Sequence, residues 1–536
     1  MMNRKHITFT ASYKFILPCL IFLTGAAVRL YLFGSVPAGY QMDEAYGAWN
    51  AFSLYHCGID SAGYSYPVYF EAWGGGQNAL NSYLMLPWIA LFNGHVNSYV
   101  IRLPQVLLSL TTLIAVYFLT KKLFDRNTAY WSMFLVTICP WHIMMSRWGL
   151  ESNLAPGFLI LGLCFFVYGL DFEPLMAASA VCYGLVLYCY ATIWPIVPIM
   201  LGLQILYCLI HHRIKISVWT ISSLILLVLA AAPLICFLFV NMGMLPSFKI
   251  GIFSVYQMTY FRSGELAHSL SDCWANFKNM CHLFLYQDNL RPYDIILPYG
   301  FFYNPGRCFI VIGIAMLFWR FIKSLFSKSY DPSVLLIIQL AGAGLLGIMI
   351  TVSMTQINCA YIPLMIAGAV GVIASVRLLG SFLQKVSQKY ATVAAYILSF
   401  CILLTFLYQF GNFTREYFTS YRELVSAYFQ DGTDEAVRTA CRIAEEEKRN
   451  LVIEDALKYP NVLLSLEIPA DSYLETVTYS DIHPAPASFQ KGNVTIYMGI
   501  DFEQLSNNNV YLIYFTDIDR FEGWKNISYG YWYVVY

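Results

Sequence analysis

Asp43 and Glu44 stand side by side shortly after the first long apolar stretch, in Pro37-Ala-Gly-Tyr-Gln-Met-Asp43-Glu44-Ala-Tyr46. Adjacent carboxylates at a membrane surface are costly unless they are solvated, paired or used. A positioned carboxylate can take the proton of a reacting hydroxyl. Equally, Asp and Glu in the first turn of a helix complement its dipole. Spacing alone leaves both readings open. The company tips the balance toward chemistry, because the segment runs on through Gly58-Ile-Asp60, Ser65-Tyr-Pro67-Val-Tyr-Phe and Trp73-Gly-Gly-Gly. Glycines, tyrosines and tryptophans around carboxylates suit a polar ligand that needs hydrogen bonds and a flat surface to stack on. The 14 cysteines are scattered, most of them in apolar stretches, without metal-ligand or disulfide spacing. Asp43, Glu44 and Asp60 could hold a divalent cation, yet no spacing demands one, and no metal ligands are assigned.

The elements that must position these groups are set by composition. Of 536 residues, 58% are hydrophobic and only 12% charged, and the net charge is zero. A soluble domain carries about a quarter of its residues charged. So little charge cannot cover a globular surface, and the absence of any basic bias gives no reason to expect a nucleic-acid partner. Apolar runs near 14–33, 98–119, 129–146, 153–170, 175–191, 193–210, 216–240, 306–325, 333–353, 359–378 and 391–410 are each of about the length a spanning helix needs. The run over 175–210 is broken at Ile193-Trp194-Pro195, which reads as a tight hairpin between two spans. The first run is long for a signal peptide and Arg29 follows its small residues, so it is expected to stay. Lysine and arginine collect in alternate short loops, as at Lys121, Lys122 and Arg126, or Arg213 and Lys215, which places the N-terminus in the cytoplasm and the C-terminus outside. The expected fold class is a polytopic α-helical membrane protein of about 11 transmembrane helices with a small extracytoplasmic C-terminal α/β domain. The membrane domain covers 1–410, with outer loops 34–97 and 241–305, and the soluble domain covers 411–536. In the latter, Gly432 to Arg449 reads as an exposed helix, and Leu451-Val452-Ile453 and Val510 to Tyr514 as strands.

With the carboxylate pair so placed, the chain resembles the protein O-mannosyltransferase and aminoarabinose transferase type of membrane glycosyltransferase. These belong to the GT-C class, which uses polyprenyl-phosphate sugar donors. The likeness rests on Asp43-Glu44 after the first span, the Gly-x-Asp and Pro-x-Tyr-Phe elements, and Tyr99-Val-Ile-Arg102-Leu-Pro104. It continues at Pro140-Trp-His142 through Ser146-Arg147-x-x-x-Glu151, around Asp288-Asn289 to Tyr303, and at Asn358-x-x-x-x-Pro363. The family's Lys-Pro-Pro element of the first loop has no obvious counterpart. The resemblance implies transfer of a sugar from a polyprenyl-phosphate carrier to an acceptor hydroxyl, with inversion, on the extracytoplasmic face. It implies Asp43 as general base, with Glu44 orienting it or contacting the acceptor. A phosphate leaving group needs cations rather than a second acid, and arginine binds phosphate bidentately. Arg102 and Arg147, at outer span ends, are the candidates for the donor phosphate. Arg147 could alternatively pair with Glu151 four residues on. Asp60, Tyr46, Glu151, Asp288 and Asn289 are candidates for binding substrate, and His142 is read as packing.

Two other functional classes fit a multi-span chain. A lipid or glycolipid transporter would place charge or broken helices at mid-membrane, whereas the polar groups here gather at the outer face. A polysaccharide polymerase or ligase typically places its large catalytic loop late in the chain. No certain cofactor is implied. The expected partners are a polyprenyl-phosphate-linked sugar, an acceptor of unassigned kind (protein, glycolipid or wall polymer) and membrane lipid. The short loops fit a bacterial plasma membrane.

Overall fold

The computed structural model describes residues 5–72, 75–259, 266–287, 291–480 and 485–536. Each apolar run expected to span is helical, beginning with Lys5–Leu30 and ending with Gln388–Thr419. Among the described residues, six helices are long and apolar enough to cross a membrane: Ser98–Leu123, Glu151–Gly169, Val218–Asn241, Gly306–Ser327, Asn358–Gln384 and Gln388–Thr419. Leu80–Leu91, Leu175–Val186, Ile196–Ile210 and Ser333–Met349 are apolar but shorter.

The helix ends follow from local chemistry. Asn97 accepts from the N–H groups of Tyr99 and Val100 at 3.0 and 3.1 Å and so starts Ser98–Leu123, which closes with Lys121 and Lys122 in its last turn. The run over 129–146 is not one helix. It divides into Arg126–Ile138 and Pro140–Met145, because the residue before a proline is driven out of the helical region, and Cys139 adopts φ −59°, ψ 120°. At the expected break near Ile193, a single 3-10 turn (Ala191–Ile193) separates Leu175–Val186 from Ile196–Ile210, and the Trp194 indole N–H donates to Leu187 O across the turn. The last apolar helix runs past 410 to Thr419, since Phe413 and Tyr417 remain buried beyond the apolar stretch. Gly306–Ser327 and Asn358–Gln384 cross in close contact. A Cβ on Gly313 would lie 1.7 Å from Ala367 O, so only glycine permits that approach.

Beyond Thr419 the chain forms a seven-stranded mixed sheet. Its spatial order is Asn526–Tyr529, Trp532–Val535, Asn509–Tyr514, Asn450–Ile453, Val494–Met498, Pro486–Lys491, Thr478–Tyr479. Asn450–Ile453 is central and parallel to both neighbours, pairing Leu451 with Val510 on one side and with Ile496 on the other. Helix Thr433–Glu446 buries Ala436, Val437, Ala440 and Ala444 and keeps its charges outside, where Arg438 and Asp434 pair.

Two hydrophobic cores result. One fills the helix bundle. The other joins Ala45, Trp49 and Phe52 of the first-loop helix Met42–His56 to Val437, Leu451, Leu463, Ile496 and Trp532 of the sheet region. The first loop and the C-terminal region therefore share one interior.

Candidate active site

Gln41 organises the first loop. From extended backbone it accepts the N–H of Asp43 at 2.7 Å and of Glu44 at 3.3 Å through its side-chain oxygen, while its own backbone N–H points to Glu44 Oε2 at 3.4 Å. This is a capping box with Gln in the place usually held by Ser or Thr. Both carboxylates thus lie in the first turn of Met42–His56, on the electropositive end of its dipole. The helix-cap reading of the pair is correct as a description of local structure. It leaves the chemical reading standing, because the turn sends the two groups into different surroundings.

Glu44 is completely buried. Arg102 grips it in fork-to-fork fashion, Nε to Oε1 at 2.7 Å and Nη2 to Oε2 at 3.0 Å, and Gly149 N–H donates to Oε1 at 2.8 Å. The same guanidinium donates to Pro37 O at 2.6 Å and Gly39 O at 2.7 Å, fastening the segment that leads into the helix. A charge sealed in this way is tolerated only because its partners are bidentate and fully hydrogen-bonded. Asp43 is half-buried. Its Oδ2 receives the Gln41 side-chain amide at 3.3 Å.

Gln77, on the second strand of the hairpin Tyr69–Ala72/Gly75–Asn78, ties in a further carboxylate. Its Nε2 donates to Asp43 O at 2.9 Å and to Glu151 Oε2 at 3.1 Å. Asn81 Nδ2 holds Gly149 O at 2.7 Å, and Gln105 Nε2 holds Leu150 O at 2.8 Å, so the turn carrying Glu151 is fixed from both Leu80–Leu91 and Ser98–Leu123. Asp43, Glu44, Arg102 and Glu151 therefore converge, linked by Gln41, Gln77 and the Gly149 backbone. Sequence reasoning passed over Gln41, Gln77, Asn81 and Gln105. Only Gln41 carried a local signal, as the first member of a Gln-x-x-Glu capping pattern.

Other candidates lie elsewhere. Arg147 meets neither Glu151 nor an open surface. Its Nε donates to Val36 O at 3.0 Å, Nη1 to Arg29 O at 2.7 Å and Tyr31 O at 2.8 Å, and Nη2 to Leu32 O at 2.8 Å. It satisfies the carbonyls left over at the C-terminal end of Lys5–Leu30, where the dipole favours a cation. Asp60 and Tyr46, expected among the ligand groups, are sealed. Asp60 Oδ1 accepts from Ala62 and Tyr64 N–H at 3.0 and 2.8 Å and closes a tight turn, and burial pushes its carboxyl up to about 7. The Tyr46 hydroxyl bonds to Ser61 and to Glu71 O. Asp288 and Asn289 lie outside the described residues. His142 is buried with Nδ1 2.7 Å from Arg29 Nη2. Among the described residues, no group of three or more His, Cys, Asp or Glu is placed to hold a metal ion. Glu44 is committed to Arg102 and Asp60 to its turn.

The chain is similar to known proteins in part of its sequence and in its fold. Residues 80–239 match the model of the dolichyl-phosphate-mannose-protein mannosyltransferase family. No curated protein sequence matches the chain. Among solved structures it is similar to ArnT from Cupriavidus metallidurans. In the apo state that protein aligns at 10% identity over 98% of both chains, with a TM-score of 0.57. Bound to undecaprenyl phosphate it aligns at 12% identity over 98% of both, with a TM-score of 0.51. The oligosaccharyltransferase of Archaeoglobus fulgidus, tethered with an acceptor peptide, aligns at 12% identity with a TM-score of 0.48. That alignment covers 84% of this chain and 63% of the archaeal one, so the chain spans under two thirds of its length. At these identities the likeness to solved structures is one of fold. The chain is a multi-pass membrane protein with the fold of ArnT, and over residues 80–239 it matches the model of the dolichyl-phosphate-mannose-protein mannosyltransferase family.

Proposed function

We propose that the protein moves a sugar from a polyprenyl-phosphate carrier to an acceptor hydroxyl at the extracytoplasmic membrane face, with inversion. The acceptor oxygen attacks the anomeric carbon while the bond from that carbon to the phosphate oxygen breaks. The bonding pair leaves with the polyprenyl phosphate, and Asp43 takes the acceptor's proton. One observation carries the reading: of two neighbouring carboxylates, Glu44 is sealed in a bidentate pair with Arg102 while Asp43 stays half-buried in the same helical turn. A base must reach its substrate, and a positioning group need not. Glu44 accordingly orients, and Asp43 reacts.

Of the two candidate arginines, Arg147 supplies charge to the donor phosphate from within the protein. Arg102 is neutralised by Glu44, whereas the partners of Arg147 named above are carbonyl oxygens, so its positive charge persists near the outer end of the first helix. A fixed cation held in buried surroundings stabilises a phosphate gaining charge. Glu151 and Gln77 border Asp43.

Topology supports an outward-facing site. The ion pairs Lys122 to Asp171, Arg213 to Asp171 and Arg377 to Asp125 join loops assigned by charge to the cytoplasm, while the first loop and the sheet region pack together apart from them. We read the chain as a bacterial plasma-membrane protein with eleven crossings, its sheet domain outside. Undecaprenyl-phosphate mannose incubated with the purified protein and cell-envelope acceptor tests the reaction. Release of undecaprenyl phosphate with a product of opposite anomeric configuration is expected. Retained configuration, or transbilayer movement of the lipid without cleavage, would overturn it.

A further inference from the structure

The helix bearing Asp43 is held along its whole length by residues from the far end of the chain. Trp49, fully buried, donates its indole N–H to Ile468 O at 2.7 Å and meets the rings of Tyr473 and Tyr459 edge-on at 5.2 and 6.4 Å. One turn later, Ser53 Oγ accepts the N–H of Ala470 at 3.1 Å. At the other end, Asn461 Nδ2 donates to Tyr40 O at 2.9 Å, one residue before the capping Gln41. Gly39 sits at φ +77° so tightly against the 429–431 segment that a Cβ there would lie 2.1 Å from Phe429 O. A helix of 15 residues has marginal stability alone. Its placement is therefore decided by what it packs against, and here that includes the C-terminal domain.

We infer that the C-terminal domain is a positioning part of the active site, in which Asn461 and the Ile468–Ala470 segment fix the helix that presents Asp43. The inference rests on the proposed role of Asp43. Asn461 is a positioning residue: it touches the backbone carbonyl of Tyr40, and through Gln41 it sets the direction of the first turn. Reactions that depend on near-attack geometry are sensitive to shifts of that turn, since about 1 Å of misplacement can cost on the order of a hundredfold in rate.

The test uses the full-length protein in lipid nanodiscs with Asn461→Asp, which replaces a donor by an acceptor facing Tyr40 O, and Ser53→Ala, which removes the acceptor for Ala470. Hydrogen–deuterium exchange is followed at residues 41–47 and, separately, in strands Asn450–Ile453 and Asn509–Tyr514. Transfer from undecaprenyl-phosphate mannose is measured beside it. Both variants are expected to speed exchange at 41–47 and leave the strands protected. Asn461→Asp is expected to lower kcat about tenfold, with the KM for the lipid donor within about twofold. Unchanged exchange at 41–47 in both variants, faster exchange there with full kcat, or loss of protection throughout the sheet would overturn the inference. Failure of the proposed reaction would appear differently: wild-type protein would not transfer the sugar, while the exchange pattern would still report whether the domain holds the helix.

Discussion

Arg102 and Glu44 form a buried, doubly hydrogen-bonded ion pair that spans 58 positions of sequence and joins Ser98–Leu123 to Met42–His56. Two carboxylates in one helical turn are thereby given separate tasks. The pair draws Glu44 inward, while Asp43, one residue before it in the same turn, stays half-buried. Removing one member of such a pair strands the other charge in a dry interior. Glu44→Gln or Arg102→Met is expected to destabilise the protein by about 3–5 kcal/mol. The double replacement should cost less than the sum of the two. Thermal unfolding in detergent, with accumulation measured alongside, checks both statements.

Arg147 makes a different prediction. Its fork spreads over carbonyls of five residues, Val28, Arg29, Tyr31, Leu32 and Val36, and a lysine ammonium cannot reach them all from one point. Arg147→Lys should therefore lose about 1–3 kcal/mol of stability through buried carbonyls left unmet. An arginine that serves only an exposed phosphate would tolerate the change in a melting experiment.

Asp60 carries a pH signature. Its folded-state value near 7 lies above the ordinary 3.8 because burial opposes the charge. Between those values the folded protein holds a proton that the unfolded chain has released. The stabilisation is therefore full below about pH 4 and is lost as pH rises through about 7. Asp60→Asn stays neutral and keeps an oxygen for Ala62 and Tyr64. The melting temperature of wild type should fall relative to this variant across that window, and parallel pH profiles would contradict the assignment.

Much of this architecture was legible because a spanning helix announces itself by apolar length, whatever it packs against. The break before Pro140 was also written locally and was read through, since the flanking residues are uniformly apolar. The site was legible only in part. Asp43 and Glu44 could be singled out as a pair. Which one is sealed depends on Arg102 and on the Gly149 N–H, 105 positions from Glu44. The task of Arg147 depends on where the first helix ends in space, and the bond from Trp49 to Ile468 crosses 419 positions. Pairings between distant segments leave no periodic trace, so neither the cap that Arg147 forms nor the pair of Arg102 with Glu44 is written in residue type.

Gln77 tests the link between loops. Gln77→Glu places a carboxylate against Glu151 and removes the donor to Asp43 O. Transfer should fall on the order of tenfold or more through displacement of the first turn, and melting should fall with it, since a second carboxylate is buried beside Glu151 without a cation. Gln77→His keeps a donor and is expected to recover part of the loss. Equal activity in both variants would mean that the bridge has no bearing on turnover.

The most direct measurement is the rate of sugar transfer by Asp43→Asn in protein that inserts, accumulates and melts like wild type. The substitution keeps the size of the side chain and removes its basicity. A general base contributes about 10²- to 10⁴-fold, so transfer should drop by at least that lower bound. Asp43→Asn protein that transfers sugar at the wild-type rate would contradict the account at its centre.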